Sequence, residues 1–105
     1  MEKPNLNYIK KIAPGDEDFQ NKILNIMRKE IIHESQEYKN LLDQKEYKKL
    51  GQLIHKIKHK MNILNMESSV QIANQIEYDL RTNNISNLNK IELIIVQIKQ
   101  FLLNH

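Results

Sequence analysis

The chain has no cysteine, no tryptophan, and only two glycines and two prolines among 105 residues. Without cysteine there is no disulfide and no thiolate metal site, and a reducing compartment is permitted. So little glycine and proline leaves few turn-formers, which excludes a loop-rich or many-stranded fold. Aromatics make up 6% of residues, too few for a stacking surface of the kind that reads single-stranded nucleic acid. No apolar run is long enough to span a bilayer, and the start lacks a signal-peptide core. The expectation is a soluble, cytoplasmic domain. Its opening at Met1 and its compact length point to a free-standing unit rather than a module of a larger assembly.

What is present is isoleucine, leucine, lysine and asparagine in helical periodicity. At this length the chain is one domain with a modest core. A short helix is expected from Asn5 to Ile12, broken by Ala13-Pro14-Gly15. Asp16 is placed to cap a second helix running to about Asn40, with Glu17 and Asp18 favourable at its positive end. Phe19, Ile23, Met27 and Ile31 form its stripe, continued by Tyr38, Leu41 and Leu42. Glu34 interrupts that stripe and is expected near an edge. Asp43 is read as the cap of a third helix from Gln44 or Lys45 to Leu64, ending at Asn65. A fourth helix from Glu67 to Arg81 should bury Val70, Ala73, Ile76 and Leu80. After the turn Thr82-Asn83-Asn84, Ser86 is read as the cap of a last helix with Leu88, Ile91, Ile95, Ile98 and Leu102 inward. Short connections between long amphipathic helices favour antiparallel neighbours. The fold class is all-α: an up-down antiparallel four-helix bundle with a short extra N-terminal helix.

The third helix carries the chemistry. Leu50, Leu53, Ile54, Ile57, Met61 and Leu64 make one apolar stripe. His55 points away from it, with Gly51 one turn before, and Lys58, His59 and Asn62 following on the same side. Lys45, Lys48, Lys49, Lys56, Lys58 and Lys60 flank or share this helix, opposed there only by Glu46. An exposed imidazole with a small residue behind it and an ammonium beside it suits a nucleophile that another protein must reach. On the helix alone, a solvated polar face that happens to contain a histidine is the commoner arrangement.

The stretch Glu46-Tyr47-Lys48-Lys49-Leu50-Gly51-Gln52-Leu53-Ile54-His55-Lys56-Ile57-Lys58 resembles the signature helix of histidine-containing phosphotransfer (HPt) domains. It has an acidic-aromatic start, apolar residues at helical spacing, then H-x-x-K. Leu6-Asn7-Tyr8-Ile9 through Gly15-Asp16-Glu17-Asp18-Phe19 is similar to the family's N-terminal helix and its entry to the next. Ile76-Glu77 resembles its apolar-acidic pair on the fourth helix. Two positions depart from the pattern. His59 stands where the family has a small residue, and Asn65 where it has glycine. Asn65 tolerates the same left-handed turn. His59 either crowds a docking partner or adds a hydrogen bond to a phosphoryl group.

The resemblance implies a phosphorelay carrier. His55 accepts a phosphoryl group from the aspartyl phosphate of a receiver domain and passes it to another. Lys58 stabilises phosphoryl charge, and His59, Asn62 and Gly51 are accessory. The partners are response-regulator receiver domains and a hybrid sensor histidine kinase, and the chain itself acts as a monomer. It needs no cofactor of its own, because Mg²⁺ belongs to the receiver's acidic pocket. Nε2 is the expected nucleophile, since it extends furthest from the helix. The sequence has no phosphate-cradling glycine loop, so it is read as a carrier and not as an ATP-dependent kinase. Ile63, Ile32 and Ile26 fall off their main stripes and are candidates for partner docking or for wider packing. Lys56, Lys58 and Lys60 are expected to draw an acidic partner.

Three rivals stand beside this. His55 and His59 at i, i+4 could ligate a metal, but no third ligand is identifiable and lysines 56, 58 and 60 oppose a cation. His33 and His105 stand alone, with surface roles the default. A lysine-rich helix could lie along nucleic-acid phosphates, against which stand thirteen acidic residues and the lack of arginine there. A purely structural interaction bundle is the remaining alternative.

Overall fold

The computed structural model describes residues 2–105. The described residues form five α-helices and no strand: α1 (Asn7–Ile12), α2 (Glu17–Asp43), α3 (Tyr47–Ile63), α4 (Glu67–Leu80) and α5 (Leu88–Leu103). The long helices pack pairwise, α3 on α4 and on α2, and α5 on α2 and on α4. At about 1.5 Å per residue, the 27 residues of α2 account for most of the molecule's 45 Å long axis.

Each long helix buries one stripe. All six predicted apolar residues of α3 are buried, as are the five of α5. On α4, Ala73, Ile76 and Leu80 are buried, while Val70 is half-buried. The α2 stripe differs from its expectation. Met27, Ile31 and Tyr38 are buried, but Phe19 is 45% exposed at the helix start, and Leu24 takes an inward position instead. Glu34 is not at an edge. It is buried and faces the ammonium of Lys60 on α3 at 2.8 Å, with Glu30 adding a second contact at 3.0 Å from the surface. Lys60 is therefore an internal residue, not part of an exposed lysine face.

The helix ends explain the remaining boundary differences. Asp16 caps α2 as expected, its Oδ1 accepting from the Phe19 N–H at 3.0 Å. Asp43 does not cap α3, because α2 runs through it into a left-handed turn at Lys45 (φ 57°). There the Glu46 N–H donates to the Leu41 carbonyl and the Lys45 N–H to Leu42. That paired closure satisfies carbonyls a helix end leaves orphaned. The same closure ends α3 at Asn65 (φ 59°), where the Met66 N–H donates to the Met61 carbonyl at 2.8 Å. It recurs after α4 at Asn83 (φ 59°). Ser86 does not cap α5; its hydroxyl and its N–H both bond Asn84 Oδ1, and Asn87 precedes the helix. The first helix starts at Asn7, since Asn5 Oδ1 accepts the Asn7 N–H in a local turn.

The chain's start is tied to the α3–α4 corner. The Asn5 N–H donates to the Leu64 carbonyl, and Asn65 Nδ2 donates to Asn5 Oδ1. The Glu2 carboxylate accepts the N–H groups of Ser68 and Ser69, both at 3.0 Å, and so caps α4 from a distant segment. Gln97 Nε2 on α5 donates to the Glu2 carbonyl.

Candidate functional site

The site is a polar face shared by α3 and α4. The packing that buries Leu50, Leu53, Ile54 and Ile57 turns His55 outward, leaving its side chain 57% exposed. Its Nδ1 lies 2.9 Å from Oε1 of Glu77 on α4. The other carboxylate oxygen, Oε2, accepts from the Lys58 ammonium at 2.8 Å. Lys58 Nζ also donates to Asn74 Oδ1 at 2.8 Å. Glu77 thus bridges the histidine and the lysine of H-x-x-K, one oxygen to each.

This geometry fixes roles. A carboxylate can only accept, so Nδ1 carries the proton of the neutral ring. Nε2 is left with the lone pair, and it makes no hydrogen bond among the described residues. The nitrogen expected as nucleophile is the one left free. The Lys58 side chain is only 17% exposed, and its charge is matched by Glu77. It holds the carboxylate that holds the ring.

Beside His55 lies an open hollow of about 620 Å³. It is lined by buried Leu80, half-buried Gly51 and Tyr47, and exposed Lys48 and Arg81, with Gln52, Glu77 and Asn83 completing it. A Cβ at Gly51 would meet only Leu80 Cδ1 at 3.8 Å, an ordinary contact, so no close packing requires the glycine. Lys48 and Arg81 form no salt bridge among the described residues, in contrast to Lys58 and Lys60. The positive charge that reaches solvent at the hollow comes from these two.

His59 meets His55 edge to face, ring centroids 5.4 Å apart. It flanks His55 and takes no part in the hydrogen bonds to Glu77. Asn62 is exposed one further turn along. Among the described residues no group of three metal-ligating side chains comes together, so the His55–His59 pair gains no third ligand. Of the docking candidates, Ile26 and Ile32 are about half exposed on α2, whereas Ile63 packs half-buried against the core. None of the three lines the hollow. His33 is exposed, and His105 bonds the Phe101 carbonyl near the chain's end.

Sequence reasoning saw Glu77 only as half of an apolar-acidic pair and did not see Asn74, Lys48 or Arg81 as site residues. The available signal was spacing. Asn74, Glu77 and Arg81 recur at i, i+3 and i+7, which puts all three on one face of α4 and its C-cap, adjoining the one that buries Ala73, Ile76 and Leu80.

No protein-family model, curated protein or solved structure matches the chain. No helix is long and apolar enough to cross a membrane among the described residues.

Proposed function

We propose that the protein is a cytoplasmic phosphorelay carrier of the histidine-containing phosphotransfer type, built as an up-down antiparallel four-helix bundle with α1 laid across it. The observation that carries the reading is His55 itself, its side chain 57% exposed, with Nδ1 engaged by Glu77 and Nε2 free of hydrogen bonds among the described residues. The Nε2 lone pair attacks the phosphorus of a receiver's aspartyl phosphate. The acyl P–O bond breaks, and the receiver's carboxylate leaves with the electron pair. Transfer onward reverses these steps on a second receiver. The receiver domains supply the acidic pocket and the Mg²⁺, and a hybrid sensor histidine kinase stands upstream. The carrier contributes an accessible, correctly protonated nucleophile and a surface to dock on.

The small residue Gly51 in the lining of the hollow supports the reading because a large side chain there would fill the space beside His55. The exposed cations Lys48 and Arg81 support it because a receiver's acidic pocket is drawn to positive charge. The test is incubation with a receiver domain phosphorylated on aspartate by acetyl phosphate. Label should move to the wild-type chain and to His59→Gln, and not to His55→Gln. Full labelling of His55→Gln would remove His55 from the proposal.

A further inference from the structure

We propose that Glu77 sets the lifetime of the phosphorylated protein by keeping Nδ1 of the phosphohistidine protonated, with Lys58 tempering that effect. This rests on His55 as phosphoryl acceptor and goes beyond it, to how long the phosphoryl group stays.

The argument follows the proton. In the unmodified ring Nδ1–H donates to Glu77 Oε1. Formation of the Nε2–P bond uses the Nε2 lone pair and leaves the Nδ1 proton in place. The ring then carries a formal positive charge, directly against a carboxylate 2.9 Å away. Opposite charge at this distance favours the charged form. Cleavage of the N–P bond returns its electron pair to Nε2 and regenerates the neutral Nδ1–H ring. The phosphoryl group can therefore arrive and leave with no proton transfer at His55. The protonated ring is also the better leaving group. A Glu77-held phosphohistidine is accordingly quick to hydrolyse and quick to transfer at neutral pH.

The other charges around the ring fix the direction of each variant's effect. On α3 these are Lys58, His59 and Lys48; on α4 Glu77, and just past its end Arg81. Only Glu77 bonds the ring as an anion, and Lys58 offsets part of its charge at 2.8 Å. Removing the carboxylate's charge lets the ring lose its proton at lower pH. Removing Lys58 leaves the carboxylate uncompensated, and the ring keeps its proton to higher pH.

The test uses the whole chain and potassium phosphoramidate, which phosphorylates histidine without a protein donor. Loss of the His55 phosphoryl group is followed by ³¹P NMR across pH. The expected result is a rate that falls as pH rises, with the midpoint lower in Glu77→Gln and higher in Lys58→Met than in wild type. Between the wild-type and Glu77→Gln midpoints, Glu77→Gln should lengthen the half-life about three- to tenfold. Opposed shifts separate an electrostatic role from a structural one, since general loosening would move both variants alike. ¹⁵N NMR of the unmodified proteins adds a second readout, the Nδ1–H tautomer of His55 in wild type. Midpoints that coincide or move together, an Nε2–H tautomer in wild type, or failure of His55 to label while other histidines do, would each overturn the proposal. If the shifts appear but no receiver delivers phosphate, the relay reading fails and the role of Glu77 stands.

Discussion

Lys60 of α3 and Glu34 of α2 face one another at 2.8 Å with side chains only 6% and 7% exposed, an ion pair set inside the α2–α3 interface. The contact is held by charge attraction rather than by hydrogen-bond alignment. Removing Lys60 leaves the buried Glu34 charge uncompensated, whereas removing Glu34 leaves Lys60 with Glu30 at 3.0 Å. Lys60→Met alone should lower the unfolding free energy by about 3–5 kcal/mol, and Glu34→Leu alone by less. The double variant should recover most of that loss, since a well-packed apolar pair is often neutral or better. Urea denaturation of the three variants measures it. Additive losses in the double variant would show that the two charges do not compensate one another.

Because Lys60 and Lys58 are committed internally, the docking charge should sit at Lys48 and Arg81. Lys48→Glu and Arg81→Glu are expected to weaken association with an acidic receiver domain, mainly through slower encounter, and to flatten its dependence on salt. Lys56→Ala should have a smaller effect, since Lys56 does not line the hollow. Stopped-flow association at several ionic strengths distinguishes these cases. A gel-shift titration with duplex DNA at physiological salt should show no tight complex.

Gly51 separates access from stability. Alanine fits the space, so Gly51→Ala should stabilise α3 by about 0.5–1 kcal/mol through reduced unfolded-state freedom, with phosphotransfer retained. Gly51→Trp should fill the hollow and slow transfer from a receiver while leaving labelling by phosphoramidate intact. Comparing the two labelling routes checks that the hollow serves a docked protein. Equal slowing by both routes would mean that the side chain disturbs His55 itself.

The Glu2 carboxyl has a pH signature. Burial pushes its pKa up, but the N–H groups of Ser68 and Ser69 more than offset this and hold it below the ordinary 4.5. A depressed folded value means that the cap stabilises the fold above the unfolded pKa and is lost as pH falls through the lower folded one. Stability should therefore decline below about pH 4.5 more steeply in wild type than in Glu2→Gln. Thermal melts from pH 6 to pH 3 measure the difference.

The buried stripes of α3 and α5 and the cap at Asp16 were legible in the sequence because each depends on residues within a few positions of one another. The left-handed stop at Asn65 was legible for the same reason, while the one at Lys45 was not, because lysine carries no conformational signal for that turn. Glu34 misled for a physical reason. A charge on an apolar stripe reads as an edge unless its partner is known, and the partner is on another helix. Glu77 was underweighted similarly. Its role depends on which face of α4 meets α3, which neither helix declares alone. The cap from Glu2 joins residues 66 and 67 positions apart and had no local signature.

The hairpin of α3 and α4 has a consequence for how the molecule folds. His55, Lys58, Asn74 and Glu77 are joined by bonds spanning only 16 to 22 positions. The N-terminal strap closes loops of 60 to 95 positions. Contacts of short span cost less chain entropy and form sooner. The face that carries His55 should therefore be organised before the chain's start is fastened down. In native-state hydrogen exchange the amides of Ser68 and Ser69 should open by strap release alone, while those of α3 around His55 wait for a larger unfolding event.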